Sequence, residues 1–429
     1  MEEQGTFETE EEMEDRSPQL GRRSFLNRAG LGVAGFAASG AILAACGSGT
    51  SETADGGDTS SDDGGDSGDS GDSGGGGDAV DEDDILQASQ SAPEIEWEMA
   101  TSWPTALTTI FGGATFFSEK VSRLTGGRFT INARPAGEIV GGLEVLPAVR
   151  DGGVAAGHTA SYYYTGLSPI TQFGTAVPFG LTQRQQNAWL LQGFNGGDRG
   201  LDILNDFNAS EFGTISFPAG GTGCQMGGWF SSPIESVDDI NGLTMRIPGI
   251  AGQVLTNLGG EQVSIAGGEI LQAIQTGAID AAEFVGPTDD LILGLDEFDG
   301  ELFYYHPGWW EPGTALEVQF PLSAWNELPE EYQAAIEAAA AMANQNMMAT
   351  YDTLNPVDLQ TIEGFANVQE FSPEIMAAFK EETENVLDTI AAGDSRFAEI
   401  LGPWREYRDA VSAWHGLAER SYLNSQTQL

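Results

Sequence analysis

Two segments of the chain match each other without a gap, 125 residues apart. EVLPAVRDGGVAAGHT, residues 144–159, aligns with EILQAIQTGAIDAAEF, residues 269–284. In each copy a short apolar helical pattern ends at a glycine, and a short apolar strand follows. Chance similarity between two segments rich in Ala and Gly is the alternative. We interpret the repeat as one such unit in each of two similar α/β lobes.

Strand and helix patterns also alternate in the rest of the chain after residue 93. EIEWEMATSW places Ile95, Trp97 and Met99 on one face of a strand, and the helical pattern that follows ends at Gly126. The 336 residues from 94 to 429 are too many for one small core and suit two lobes. We therefore predict an α/β fold whose two lobes each contain a mostly parallel sheet covered by helices.

Residues 1–46 have the features of an export signal. Arg22 and Arg23 precede an apolar run, rich in Ala and Gly, that ends at Cys46. The pattern resembles a twin-arginine signal with a lipobox, in which Cys46 is the lipidated first residue of the mature protein. An uncleaved membrane anchor is the alternative, although the run is too short and glycine-rich to span a bilayer stably. The signal predicts a protein lipid-anchored to the outer face of the cytoplasmic membrane.

A polar tether joins this signal to the folded part of the chain. Residues 47–93 include DGGDTSSDDGGDSGDSGDSGGGG, which repeats Gly-Asp-Ser and contains no large apolar residue. Such a composition cannot bury enough surface to fold. We expect a disordered acidic spacer.

The charge of the chain excludes some classes of partner. The net charge is −48, and residues 94–429 contribute 44 acids against 13 Lys and Arg, or −31. This surface repels nucleic acid and anionic lipid. It suits a high-salt habitat, because salt reduces the Debye length to ~3 Å at 1 M.

The repeat places two polar side chains at the ends of buried strands. His158 ends the first copy and Glu283 the second. Ligands of open α/β sheets bind beyond the carboxyl ends of the strands, so both residues are expected to face a cleft between the lobes. A buried carboxylate there needs a cation or a donor to stay charged. The alternative for Glu283 is a cap of the next helix.

Other residues are expected at the same cleft. Arg246 ends a strand, and its planar guanidinium can bind one carboxylate through two parallel hydrogen bonds. Glu283, Glu311 and the amide of Gln225 offer hard oxygen donors, which suit calcium or sodium and not zinc. Aromatic side chains near these positions are candidates for the cleft or for the core, namely Tyr162, Tyr163, Trp229 and Trp310.

Four motifs together resemble a known family. QMGGWF, GLTMRIPGIAGQVLTNLGG, GGEILQAIQTGAIDAAEFVGP and HPGWWEPG are similar to the solute-binding proteins of tripartite ATP-independent periplasmic (TRAP) transporters, in the branch that binds 2-oxo acids and lactate. The resemblance implies a two-lobed periplasmic-binding-protein-like fold with a ligand cleft, hinge strands and a long connecting helix. That helix is expected from Pro329 to about Leu354, with Pro356 ending it. The implied lobes are residues 94–222 with 312–350 and residues 223–311 with 351–420, before a tail at 421–429.

The resemblance also implies roles for individual residues. Arg246 would bind the solute carboxylate, and Gln225 would contact both the solute and a metal. Glu283 would bind the metal through its side chain, Phe284 through its main-chain carbonyl, and Glu311 as a further acid. Phe284 stands where the branch usually has Trp, and Trp310 stands where His commonly precedes the acid, so the pocket wall is expected to differ.

Two classes of function follow from these residues. The first is capture of a small 2-oxo or 2-hydroxy acid outside the cell and its delivery to a TRAP permease. The second is a secreted metal-dependent hydrolase or lyase with Glu283 or His158 as the base. The chain after residue 93 contains no G-x-S-x-G, H-E-x-x-H or phosphate-loop motif, which favours binding. The family branch also tends to dimerise through C-terminal helices, and an apolar stripe from Phe397 to Trp414 either forms such a contact or packs on its own lobe.

Overall fold

The computed structural model describes residues 92–427, and the predictions on Cys46, the signal and the tether before residue 92 lie outside them. Within this range, no helix combines the length and the apolar character that crossing a membrane requires. The strands are β1 (Ile95–Thr101), β2 (Phe129–Arg134), β3 (Ala156–Thr159), β4 (Thr214–Gly221), β5 (Gly228–Phe230), β6 (Thr244–Arg246), β7 (Glu261–Val263), β8 (Ala281–Ala282), β9 (Phe303–His306), β10 (Ala315–Pro321) and β11 (Asn367–Glu370).

Helices pack against the two sheets that these strands form. In chain order they are α1 (Ile110–Leu124), α2 (Val145–Arg150), α3 (Gln172–Thr175), α4 (Gln183–Leu191), α5 (Gly200–Glu211), α6 (Gly249–Asn257), α7 (Ile270–Gln275), α8 (Pro287–Leu293), α9 (Leu322–Glu327), α10 (Glu330–Ile362), α11 (Pro373–Gly393), α12 (Ser395–His415) and α13 (Ser421–Thr427). Short 3-10 turns and one π-helical turn connect some of them.

The strands form two sheets, each the centre of one lobe. The sheet of the first lobe has the order β2-β1-β3-β10-β4, and that of the second lobe has the order β11-β9-β5-β8-β6-β7. Most neighbours are parallel, but β10 and β5 run antiparallel to both of their neighbours. The chain crosses from the first sheet to the second between β4 and β5, and back between β9 and β10. β5 and β10 therefore begin at the cleft side of their sheets. The prediction of two α/β lobes is confirmed.

The structure confirms the internal repeat. Helix α2 is followed by β3 in the first lobe, and helix α7 by β8 in the second. Gly152 and Gly277 lie between helix and strand with φ of 72° and 66°. A residue with a Cβ is strained at such φ values, which explains why glycine ends each helix. Both strands lie in the interior of their sheets.

Two extended segments and one helix connect the lobes. Residues 222–227 join β4 to β5, and residues 307–314 join β9 to β10. The two segments are hydrogen-bonded to each other, because the amide of Gln225 donates to the Glu311 carbonyl at 3.1 Å and the amide of Gly308 to the Gln225 carbonyl at 2.9 Å. Residues of both crossings therefore lie together at the boundary of the lobes.

The long helix α10 differs from its prediction at its C-terminal end. It begins at Glu330 as expected, but it continues through Pro356 to Ile362. The side chain of Asn355 accepts a hydrogen bond from the Thr288 amide at 3.1 Å, and Asp358 accepts one from the Thr288 hydroxyl at 2.7 Å. These contacts and the burial of Ile362 stabilise the turns after the proline against the loss of one backbone hydrogen bond.

Helix α12 packs on its own chain along most of the predicted apolar stripe. Phe397 and Trp404 lie against Phe173, with ring centroids 5.0 and 5.7 Å apart, and the Tyr407 hydroxyl donates to the Gln185 carbonyl. These contacts are with the first lobe, whereas residues 351–420 are predicted to belong to the second. Beyond this packed part, Trp414 is exposed.

The chain enters the described structure at the first lobe. The guanidinium of Arg128 donates to the carbonyl of Ala92 from Nε at 2.7 Å and from Nη2. The hydroxyl of Tyr332 donates to the carbonyl of Pro93 at 2.7 Å. Both donors belong to the first lobe, so the residues just before β1 are held on its surface.

Candidate functional site

Arg246 and Glu283 form a buried ion pair at the ends of two neighbouring strands. β6 and β8 are parallel, and Arg246 pairs in register with Ala282, so Glu283 follows directly at the same edge. The Arg246 Nη1 donates to Glu283 Oε1 at 2.5 Å and to the Glu283 carbonyl at 2.8 Å. Each side chain is 1% exposed. Within residues 92–427, Arg246 Nη2 and Glu283 Oε2 find no hydrogen-bond partner.

The electrostatics of this ion pair favour a further positive charge near Glu283. Burial raises the pKa of Glu283, and the Arg246 guanidinium opposes this shift only in part. The carboxylates of Glu311 and Asp290 raise the pKa of Glu283 further. A buried carboxylate with one free oxygen is costly unless a cation or donor reaches it, so the site favours a bound cation.

Gln225 contributes a second unpaired oxygen from the first crossing segment. Its Nε2 donates to the hydroxyls of Thr222 at 3.3 Å and Thr314 at 3.2 Å, which fixes the orientation of the amide. Its Oε1 is buried and accepts no hydrogen bond from the described part of the chain. The amide is therefore held with its acceptor free for a ligand.

Glu311 lies in the second crossing segment and connects to the same network. Its Oε2 accepts a hydrogen bond from the Thr314 hydroxyl at 2.7 Å. Burial raises the pKa of Glu311 to about 7, against the effect of the Thr314 and Tyr162 hydroxyls and of Arg246. Glu311 is thus held by its own crossing segment and lies near Tyr162 of the first lobe.

A small cavity lies beside these groups, between the lobes. Its lining includes the predicted residues Gln225, Tyr162, Tyr163 and Phe284. The Phe284 ring also lies 5.5 Å from the Arg246 guanidinium carbon. The other lining residues are Trp103, Ile110, Thr222, Val285, Thr314 and Leu316. The site therefore has a polar side from the second lobe and the crossings, and a largely apolar side from the first lobe.

Two of the predicted aromatic residues do not line this cavity. Trp229 is fully buried, stacks on Tyr304 with ring centroids 4.2 Å apart, and donates from Nε1 to Asp290 at 3.1 Å. Trp310 is buried against Trp309, and its Nε1 is unpaired within residues 92–427. Trp229 thus packs in the core, and its polar atom is bonded to Asp290.

His158 is buried behind the cavity, and both of its ring nitrogens are hydrogen-bonded within the protein. Its Nδ1 accepts a hydrogen bond from Trp103 Nε1 at 2.8 Å, and its Nε2 lies 3.4 Å from the Ala219 carbonyl, to which it donates. Burial lowers the pKa of His158 to about 4. The imidazole is therefore neutral with both nitrogens occupied. This geometry supports a role in holding Trp103 against the cavity rather than one as a base.

Two contributors to the site were not expected from the sequence. Trp103 follows the carboxyl end of β1, where the same strand-end rule applied to His158 would have located it. Asp290 accepts hydrogen bonds from the amides of Val285 and Gly286, both at 3.1 Å, and from the Tyr304 hydroxyl at 2.8 Å. It therefore fixes the loop that follows Glu283 and Phe284. No spacing in the sequence identifies Asp290 in that role.

The donors present fit a hard cation bound by oxygen atoms. Glu283 Oε2 and Gln225 Oε1 are buried and unpaired, and calcium and sodium prefer carboxylate, amide and main-chain carbonyl oxygens. Among residues 92–427 no group of three or more His, Cys, Asp or Glu side chains could hold a metal ion. A cation here would therefore depend on amide and carbonyl oxygens beside the carboxylates.

Comparison with known sequences identifies one family and a close relative. The family model "Bacterial extracellular solute-binding protein, family 7" (DctP) matches residues 99–394. A monocarboxylate 2-oxoacid-binding periplasmic protein of Nostoc sp. is 46% identical over 333 residues, which cover 77% of this chain and 89% of the relative.

Solved structures give the same picture. A TRAP transporter solute-binding protein of Bordetella bronchiseptica, with calcium and picolinate bound in a mixed-occupancy dimer, is 36% identical with a TM-score of 0.75, covering 78% of this chain and 98% of that one. Two further TRAP solute-binding proteins are each 33% identical with a TM-score of 0.73 and cover 77% of this chain and 99% of theirs. That of Colwellia psychrerythraea holds calcium and pyruvate, and that of Pseudoalteromonas atlantica holds sodium and pyruvate.

Proposed function

The chain belongs to family 7 of the bacterial extracellular solute-binding proteins, the DctP family. We propose that it captures a small 2-oxo or 2-hydroxy monocarboxylate together with a calcium or sodium ion. One observation carries the proposal. Arg246 Nη2, Glu283 Oε2 and Gln225 Oε1 are buried, and the part of the chain described offers them no partner. They supply one donor for a carboxylate and two oxygens for a cation.

Arg246 is the proposed carboxylate-binding residue. Its Nε donates to the Ile265 carbonyl at 3.2 Å and its Nη1 is held by Glu283, so the direction of the free Nη2 is fixed. A guanidinium already held by three hydrogen bonds loses little entropy when the solute binds. The solute carboxylate would also neutralise the positive charge that remains when Arg246 and the cation share the single negative charge of Glu283.

Gln225, Glu283 and the main-chain carbonyl of Phe284 are the proposed cation ligands, with Glu311 as a further acid. The cation would also be coordinated by oxygen atoms of the solute, since the protein supplies fewer than the six to eight oxygen ligands that calcium takes. A 2-oxo or 2-hydroxy group next to the carboxylate fits that need. Glu311 Oε2 is hydrogen-bonded to the Thr314 hydroxyl, so Glu311 would bind a cation through its other oxygen or by exchanging this bond.

The apolar side of the cavity supports a solute with few carbon atoms. Ile110, Leu316 and Trp103 come from the first lobe and face the cavity with no charged group. The cavity between the closed lobes is small, which favours a solute with few atoms. Trp310 does not line this cavity, and we propose that it supports the segment of Glu311.

Delivery and location complete the proposal. We propose export through the residue 1–46 signal, lipidation of Cys46 and transfer of the solute to the membrane subunits of a TRAP permease. Family membership supports the extracellular location and the permease. The sequence motif supports the lipid anchor. A homodimer is proposed in addition, because a structurally similar protein is a dimer.

A thermal-shift screen of the full chain tests the proposed function. Small 2-oxo and 2-hydroxy acids would be added in molar salt, with and without calcium, and the neutral amide of each acid would serve as the control. A ligand at 100 times its Kd adds ~2.7 kcal/mol to stability. We expect several acids to raise the Tm, more with calcium than without, and their amides to have no effect. If none of the acids raises the Tm in either condition, the proposal is wrong.

A further inference from the structure

The binding residues are enclosed in this structure. Arg246, Glu283 and Gln225 are buried, and Tyr163 lies between the inner cavity and a polar pocket that opens outward. A solute reaches Arg246 Nη2 only if the two lobes separate. Any bond between the lobes that is present here and broken on opening therefore contributes to the affinity for the solute.

One side chain of the first lobe bonds to the backbone of the second. Gln172 begins the short helix α3, and its Oε1 accepts a hydrogen bond from the amide of Ile250 at 3.0 Å. Its Nε2 donates to the carbonyl of Ala176 in its own lobe. Gln172 is only 3% exposed, so both ends of its amide are used away from water.

The partner of Gln172 is adjacent to the proposed carboxylate-binding residue. β6 ends at Arg246, and α6 begins at Gly249 after two further residues. The Ile250 amide is one of the donors at the start of α6 that no helical carbonyl can satisfy. Gly249 has φ of 68°, and a Cβ there would lie 2.7 Å from Gln172 Oε1. A glycine at this position allows both the backbone turn and the close approach of the two lobes.

We propose that Gln172 is a positioning residue that stabilises the closed form and so raises the affinity for the solute without touching it. The inference rests on the proposed function, since it concerns the same site. When the lobes close, the Gln172 amide oxygen satisfies the start of α6, and the strand end that carries Arg246 is held in place. When they open, water replaces this contact, and the solute is released.

The test compares two variants of the full chain with the wild type, using calorimetry with pyruvate and calcium and stopped-flow release of pyruvate. Gln172→Leu removes the acceptor that binds the Ile250 amide. Gln186→Leu is the matched control, because Gln186 is also buried and donates to the Phe173 carbonyl of α3 at 2.8 Å, within one lobe. We expect Gln172→Leu to lose about tenfold in affinity, chiefly through faster release. Gln186→Leu should lower the Tm of free and bound protein alike and leave the affinity within about threefold of the wild type.

The possible results separate a role of Gln172 in closing the lobes from solute binding itself. If the wild type binds and Gln172→Leu binds equally well, the inference is wrong while the proposed function stands. If Gln186→Leu loses as much affinity as Gln172→Leu, the effect is a general loss of first-lobe structure and the inference is again overturned. If the wild type binds no acid, the proposed function fails and the inference fails with it.

Discussion

The side chains of Arg246 and Glu283 are hydrogen-bonded to each other through one terminal atom each. Nη1 and Oε1 are 2.5 Å apart in a fully buried ion pair, whereas Nη2 and Oε2 are unpaired within the described residues. The two charges hold each other in place, and the remaining donor and acceptor are free for an anion and a cation respectively. The pair thus has complementary free groups for a carboxylate bound together with a metal ion.

The first prediction concerns Arg246→Lys. The charge is kept, but a point ammonium cannot hold Glu283 and a solute carboxylate at fixed angles at the same time. We expect solute affinity to fall by ~2–5 kcal/mol, the usual cost of truncating a buried charge partner. Calorimetry with the best acid from the screen measures this loss. Unchanged affinity would remove Arg246 from the site.

Glu283→Gln should behave differently, because it removes charge and keeps one oxygen. The Tm of the free protein should fall, since the buried Arg246 loses its counter-ion. Solute affinity should also fall, and raising calcium or sodium at constant ionic strength should partly restore it, as linkage between two ligands requires. Arg246→Lys is the control and should show no such rescue. Normal solute binding by Glu283→Gln in the absence of the cation would refute the role as a metal ligand.

A third prediction concerns the buried Glu317 of β10, which lies away from the site. Burial raises its pKa to about 7, although Gln319 Nε2 donates a hydrogen bond to Glu317 Oε1 at 3.2 Å. Its contribution to stability is therefore complete below the unfolded pKa of 4.5 and is lost as the pH rises through about 7. The loss amounts to at most ~3 kcal/mol. We expect Glu317→Gln to be stabilised relative to the wild type more at pH 8 than at pH 5. Denaturant unfolding at both pH values measures this, and equal differences would contradict it.

The fourth prediction concerns the dimer. The C-terminal end leaves an apolar surface exposed, with Leu417 77% accessible. The other exposed apolar residues of this end are Trp414, Tyr422 and Leu423. We expect a dimer at micromolar concentration in molar salt, and a shift to monomer in Leu417→Glu. The control is Leu167→Glu, an exposed leucine of the first lobe. Sedimentation velocity decides, and a monomeric wild type would rule out the dimer.

The sequence predicts the location of the site better than its internal bonds. Arg246 and Glu283 end apolar strands, and the strand-end rule alone places both at the cleft. Their ion pair could not be predicted, because it depends on β6 and β8 being neighbours in a sheet whose order the sequence does not contain. For the same reason Gln172 gives no signal, since its partner is a backbone amide in the other lobe.

The fold shows a similar division between local and tertiary information. Gly152 and Gly277 end their helices for a local reason, the left-handed backbone, and the repeat could be predicted in detail. Pro356 is also a local signal, and here it misleads. The contacts of Asn355 and Asp358 with Thr288 come from a distant part of the chain and outweigh it.

The bonds that hold Ala92 and Pro93 to the first lobe have a mechanical consequence. Residues 1–91 precede this lobe in the chain. If Cys46 carries a lipid as we propose, tension from the membrane would reach the first lobe directly. The first lobe would then stay close to its anchor on opening, while the second lobe, which carries Arg246 and Glu283, would move. The charged groups of the site would leave the tethered lobe, and the apolar side of the cavity would remain with it.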